Sequence, residues 1–154
     1  MIINSTVITL PNVGDTVKFR SIKNKIQALG GADGITIGFY KTQSKFDVSG
    51  NAAFLIERTG TVKDLTNPFL FQNLFYGSKC CDVSKLKLNS TKLGASAYKL
   101  MFEGCTSLTQ APELPATELG ENCYYDMFYG CTSLTKAPDL PAKTIGNYCY
   151  YRMF

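Results

Sequence analysis

The side chains best equipped for chemistry in this sequence are six cysteines and nine tyrosines, and no histidine accompanies them in 154 residues. Thiols can act as nucleophiles, metal ligands or disulfide partners, but each role needs company. Without histidine the commonest general base, the commonest zinc ligand and the middle member of a Ser-His-Asp triad are missing. A cysteine nucleophile would lack its base, and no C-x-x-C pair offers metal-ligand spacing. Gly30-Gly31-Ala32-Asp33-Gly34 lacks the Gly-Lys-Ser/Thr ending of a phosphate loop and reads as a hairpin loop. Glu113 and Glu118 are separated by Pro115 and become Asp139 and Lys143 further along, which is no pattern for a catalytic pair. No catalytic residue, metal ligand or cofactor is expected.

The placing of the cysteines leads back to the elements that carry them. Cys105 and Cys131 lie 26 residues apart, as do Cys123 and Cys149, because the chain repeats itself. Met101-Phe102-Glu103-Gly104-Cys105-Thr106-Ser107-Leu108-Thr109 returns as Met127-Phe128-Tyr129-Gly130-Cys131-Thr132-Ser133-Leu134-Thr135. Ala111-Pro112-Glu113-Leu114-Pro115-Ala116 likewise returns as Ala137-Pro138-Asp139-Leu140-Pro141-Ala142. Leu93-Gly94 and Ala97-Tyr98 keep the period upstream, and Leu74-Phe75-Tyr76-Gly77 reads as an older copy with a one-residue slip. About three and a half units run from Leu65 to Phe154, ending within a unit. A fixed period of this length predicts stacked coils.

Within a unit, Cys123, Met127 and Cys131 follow the i, i+4, i+8 spacing of a helix face, with Phe128 beside them and Gly130 as the stop. The following Leu134, Ala137 and Leu140 read as an extended segment, because Pro138 and Pro141 forbid helix there. Equivalent residues of successive coils then stack about 5 Å apart. Cys105, Cys131, Cys123, Cys149, Met101, Met127, Phe102 and Phe128 are thus expected to form internal ladders. The cysteines are read as free buried thiols, a bridge between neighbouring coils being the alternative.

Seven of the nine tyrosines follow residue 92. Tyr125 and Tyr151 are expected to point outward, one above the other, with Tyr98, Tyr124 and Tyr150 nearer the core edge. An exposed aromatic row could grip a sugar ring or a protein by flat apolar contact, which makes Tyr125, Tyr151, Tyr129 and Lys99 the candidate binding residues. The alternative, weighed more heavily, is that the rings cover the seam between coils. Lys99, at the equivalent place one unit earlier, interrupts a continuous row.

These units resemble the BspA-type leucine-rich repeats of bacterial surface proteins, in Met-Phe-x-Gly-Cys-Thr-Ser-Leu-Thr followed by Ala-Pro-x-Leu-Pro-Ala. The likeness is close from Leu93 to Phe154 and loose from Leu65 to Lys92. Lys45-Phe46-Asp47-Val48-Ser49-Gly50-Asn51 and Val13-Gly14-Asp15-Thr16-Val17-Lys18-Phe19 also look like strands of such proteins. The resemblance implies a binding or adhesion module that presents its repeats to a protein or carbohydrate on a cell surface, outside the cell. Met1-Ile2-Ile3-Asn4-Ser5-Thr6 has neither the basic nor the apolar region of an export signal. A virion component, such as a bacteriophage head or tail fibre using its repeats for host attachment, is therefore the second expectation.

Residues 1–60 carry strand signals at Thr6 to Leu10, Thr16 to Ile22, Ile35 to Tyr40, Lys45 to Val48 and Ala53 to Arg58, with an Asp33-Gly34 turn. The fold class expected is α+β: a small antiparallel β domain over 1–60, then a leucine-rich-repeat solenoid of short strands and short helices over 61–154. Residues 1–92 hold twelve of the sixteen basic side chains and six of the twelve acidic ones. Lys18, Arg20, Lys23 and Lys25 alternate with Phe19 and Ile22 as on a half-exposed strand, so this basic half reads as a solvated face. No nucleic-acid motif accompanies it. No run approaches the 18 apolar residues needed to cross a membrane.

Overall fold

A computed structural model of the protein describes residues 45–52 and 64–154. Over these residues the chain winds into stacked coils held by short parallel strands. Strands β2 (Asp64–Leu65), β4 (Lys92–Leu93), β5 (Glu118–Leu119) and β6 (Thr144–Ile145) form one four-stranded parallel sheet. Their register places Leu65, Leu93, Leu119 and Ile145 in one row and Asp64, Lys92, Glu118 and Thr144 in the next. The leucines face inward and are almost wholly buried, while the charged row faces water, where Lys92 and Glu118 pair at 2.9 Å. Such an exposed pair contributes no more than about 1 kcal/mol. Strands β1 (Ser49–Asn51) and β3 (Lys85–Lys87) make a second small sheet, also parallel.

The expected fold class is overturned here. Among the described residues there is no α-helix. Where short helices were expected, each coil instead runs through a chain of turns, residues 68–77, 95–104, 121–130 and 147–152. In the second of these arcs, Ser96, Tyr98 and Leu100 have φ near +60°, as do Phe69, Phe71 and Asn73 in the first. That conformation costs an L-residue on the order of 1–2 kcal/mol. What it provides is a division of labour among backbone donors. Lys99, Met101 and Glu103 N–H groups close tight turns onto Ser96, Tyr98 and Leu100 carbonyls. The alternate N–H groups of Leu100, Phe102 and Gly104 reach across to Tyr125, Met127 and Tyr129 of the next coil. A helix would have used both sets internally and left neighbouring coils with no backbone contact.

The helical reading failed for a definite reason. In the second arc, from Ala97 on, burial runs two in and two out: Ala97 and Tyr98 are buried, then Met101 and Phe102, then Cys105, and the third arc departs from this only at the buried Asp126. A period of four differs from 3.6 by too little to be distinguished over eight residues.

The second departure concerns residues 45–52. They belong to the region expected to be antiparallel, yet Phe46 bridges Cys80 and β1 pairs with β3, both in parallel. Phe46 and Val48 pack partly buried on the core. The expected strands Thr6 to Leu10, Thr16 to Ile22, Ile35 to Tyr40 and Ala53 to Arg58, the Asp33-Gly34 turn and the boundary after residue 60 lie outside the described residues.

Inside the coils, equivalent side chains stack in columns. Phe75, Phe102, Phe128 and Phe154 are separated by 5.3, 5.6 and 5.7 Å, with rings parallel within 13°. Phe71, Tyr98, Tyr124 and Tyr150 form a second column at 5.7, 6.1 and 5.8 Å. Tyr98 and Tyr124 are thus core residues, and burial pushes both phenols well above their ordinary range.

Candidate functional site

Two candidate groups emerge, a thiol ladder inside and an aromatic row outside. All six cysteines are free, and Cys81 alone of them is more than slightly exposed. Each ladder thiol donates to a backbone carbonyl of the preceding coil: Cys105 to Phe75 at 3.0 Å, Cys131 to Phe102 at 3.1 Å, Cys123 to Gly94 at 3.0 Å and Cys149 to Gly120 at 2.8 Å. The Phe75, Phe102 and Gly94 carbonyls already accept the N–H groups of Ser78, Cys105 and Ala97, so the thiols there supply a second donor to each. Burial, reinforced by neighbouring thiols, pushes Cys123 and Cys131 up to about 12. The Cys105 thiol beside it, together with burial, holds Cys80 protonated as well. Because the thiolate is the reactive form, Cys80, Cys123 and Cys131 are inert at neutral pH, whereas Cys105, drawn down by its hydrogen bond with Cys80, and Cys149 are shielded by burial.

Brief treatment of the native protein with iodoacetamide at pH 8 should therefore alkylate Cys81 and spare the other five, while all six react in urea. Mass spectrometry reads the sites directly. Native labelling of Cys123 or Cys131 at the rate of Cys81 would show that the ladder is open to solvent.

The outer group is assembled by the arcs. Lys99, Tyr125 and Tyr151 hold one repeat position, and the structure brings them together. The Lys99 ammonium lies 4.4 Å from the centre of the Tyr125 ring, whose other side stacks on Tyr151 at 5.0 Å. Tyr148 meets Tyr151 edge-on at 6.1 Å. Tyr129 joins through Arg152, whose guanidinium lies 4.9 Å from the Tyr129 ring and 5.6 Å from that of Tyr151. Arg152 is anchored in turn by two bonds to Asp126, Nε to Oδ1 at 3.0 Å and Nη2 to Oδ2 at 2.7 Å. Asp126 is buried, with 4% of its side chain accessible, so this paired guanidinium neutralises a carboxylate that would otherwise be costly. Glu103 stands nearby, pushed up by burial and by Asp126 and drawn back by Arg152.

Sequence reasoning had named Tyr125, Tyr151, Tyr129 and Lys99 and missed Asp126, Arg152 and Tyr148. The signal for the ion pair was there: Asp126 and Arg152 are opposite charges one repeat apart, and parallel stacking makes such residues neighbours. Tyr148 was hidden because no aromatic precedes it in its column, where Asn122 and Ser96 stand.

The geometry also corrects how the row can be used. The rings lie face to face along the coil axis, so Tyr125 has Lys99 on one face and Tyr151 on the other. What the surface offers is ring edges and phenol hydroxyls, not a flat platform. Among the described residues no group of three or more Cys, Asp or Glu could hold a metal ion, and no helix is long and apolar enough to cross a membrane. Comparison with family models, with curated proteins and with solved structures finds no match for the chain.

Proposed function

We propose that the repeats form a non-enzymatic recognition module, a leucine-rich-repeat surface that binds a protein or a glycan displayed on a cell surface, outside the cell. The observation that carries the reading is the outer row: Tyr129, Tyr148 and Tyr151 are 44%, 62% and 47% exposed, yet all are held by ring or cation contacts. Side chains already immobilised lose little conformational freedom when a partner docks, and tyrosine edges supply both apolar contact and hydroxyl hydrogen bonds. Carbonyl and hydroxyl groups of an extended peptide or an oligosaccharide suit such edges. The resemblance to BspA-type repeats supports the same reading, and so does the chemistry of the remaining groups. The chain has no histidine, its buried thiols Cys80, Cys123 and Cys131 are held protonated, and the buried carboxylate of Asp126 is occupied by Arg152.

The test is binding to glycan and cell-surface protein arrays. Tyr125→Ala combined with Tyr151→Ala is expected to weaken binding at least about tenfold, a loss of about 1.4 kcal/mol. Lys136→Ala, on an exposed arc away from the row, should leave it unchanged. Equal binding by the double variant and the parent, or no ligand on either array, refutes the proposal.

A further inference from the structure

The link between β3 and β4 departs from the repeat in a way that the aromatic row does not explain. Leu88-Asn89-Ser90-Thr91 answers Leu114-Pro115-Ala116-Thr117 and Leu140-Pro141-Ala142-Lys143 of the next two coils, so an asparagine replaces the recurring proline. The exchange completes an Asn-x-Thr triplet whose middle residue is not proline. Asn51, Asn67, Asn73, Asn122 and Asn147 all lack a serine or threonine two places on. A second such triplet, Asn4-Ser5-Thr6, lies outside the described residues.

The fold turns Asn89 outward. Leu88 and Ser90 on either side of it are buried, and the Ser90 hydroxyl is bonded to the Tyr98 phenol. Asn89 itself is exposed, as Pro115 and Pro141 are at the same place in the next two coils, so this position faces water throughout the stack. Residues 88–90 form neither strand nor turn, and among the described residues neither the backbone nor the carboxamide of Asn89 has a hydrogen-bond partner. Bonding between coils also lapses beside it. Thr109 donates to Cys81 and Thr117 to Thr91, but no backbone bond joins residues 111–116 to residues 83–90. Pro112 and Pro115 have no N–H to give, and a groove of about 240 Å³ opens there, lined among others by Lys85, Lys87, Asn89, Glu113 and Pro115.

We propose that Asn89 is an acceptor for an asparagine-linked glycan, whose first sugars lie over this groove. A surface link with no packing or hydrogen bond to lose is what the modification requires. In the transfer, the Asn89 side-chain nitrogen bonds to the anomeric carbon of an oligosaccharide carried on a polyprenyl diphosphate. The bond from that carbon to the diphosphate oxygen breaks, polyprenyl diphosphate leaves with the electron pair, and the amide proton passes to a base of the transferase. Such glycans belong to exported proteins, so the assignment rests on the extracellular reading above.

The test uses the full chain with Asn4→Gln, which silences the other triplet, behind a cleavable export leader. It is translated with membranes that hold the transferase and its lipid-linked donor. The expected product gains the mass of one glycan, which peptide-N-glycosidase removes to leave an aspartate in the tryptic peptide 88–92. Cys123 and Cys131 of the glycosylated chain should stay as protected from iodoacetamide as those of the bare chain. A chain that gains no glycan, a glycan that persists in Asn89→Gln, or thiols that open only in the glycosylated chain overturns the proposal. Because the leader supplies export, failure here is not failure of the extracellular reading, which the arrays test separately.

Discussion

Gly94→Ala is expected to destabilise the protein by about 3 kcal/mol or more, the upper range for forcing an atom into a packed interior. A Cβ at this position would lie 2.3 Å from the Thr66 carbonyl oxygen and 2.7 Å from its carbon. Both are backbone atoms of the preceding coil, so no side chain can swing aside. The Gly94 N–H also donates to Leu65 at 2.6 Å, which ties the glycine to the β2–β4 step and prevents the coils from parting without losing that bond. Urea unfolding measures the effect, read as a fall in midpoint at constant slope. Gly104→Ala is the informative control. Gly104 has φ of +70° but room for a methyl group, which would meet Gly77 Cα at an ordinary contact distance of 3.6 Å. Its cost is conformational and should stay near about 1 kcal/mol. If the two variants lose equal stability, close approach of coils is not what selects glycine at Gly94.

Phe102→Ala is expected to cost about 4 kcal/mol. The ring is fully buried and stacked on both sides, against Phe75 at 5.3 Å and Phe128 at 5.6 Å. Removal forfeits the transfer of a large apolar side chain, leaves a cavity, and breaks two stacking contacts worth roughly 0.5–1.5 kcal/mol each beyond area. Neighbouring coils cannot close the gap, because backbone bonds from Phe102 to Met127 and from Phe75 to Met101 hold their spacing. Phe154→Ala removes the same side chain from a half-exposed end with a single stacked neighbour, and about 1 kcal/mol is expected there. Combining Phe102→Ala with Phe128→Ala should be less costly than the sum, by about 1 kcal/mol, since one contact is then lost once and not twice. A loss below about 1 kcal/mol for Phe102→Ala would remove the column from the list of what holds the coils together.

Both effects trace to residues whose repetition is visible without coordinates. Gly94, Gly120 and Gly146 recur in register, as do Phe102, Phe128 and Phe154, and residues that recur at one period in stacked coils must touch their own copies. The same logic placed Lys99, Tyr125 and Tyr151 together, and it would have found Asp126 and Arg152 had charge been tracked along the period. Which part of each ring faces outward was not legible, because adjacency in a column says that rings meet but not that they meet by their faces.

The sequence by itself determined the 26-residue period, the recurring Cys, Met and Phe columns, and the burial of those side chains, but not that of Asp126. Only the tertiary structure decided the backbone between them. Side-chain pattern reports which way a residue faces, and a chain of turns with two residues in and two out reports nearly the same as a helix. Where an N–H group goes is a different question, answered by a carbonyl on the neighbouring coil. Leu100, in a left-handed conformation, sends its N–H to Tyr125, and that acceptor exists only once the coils have stacked.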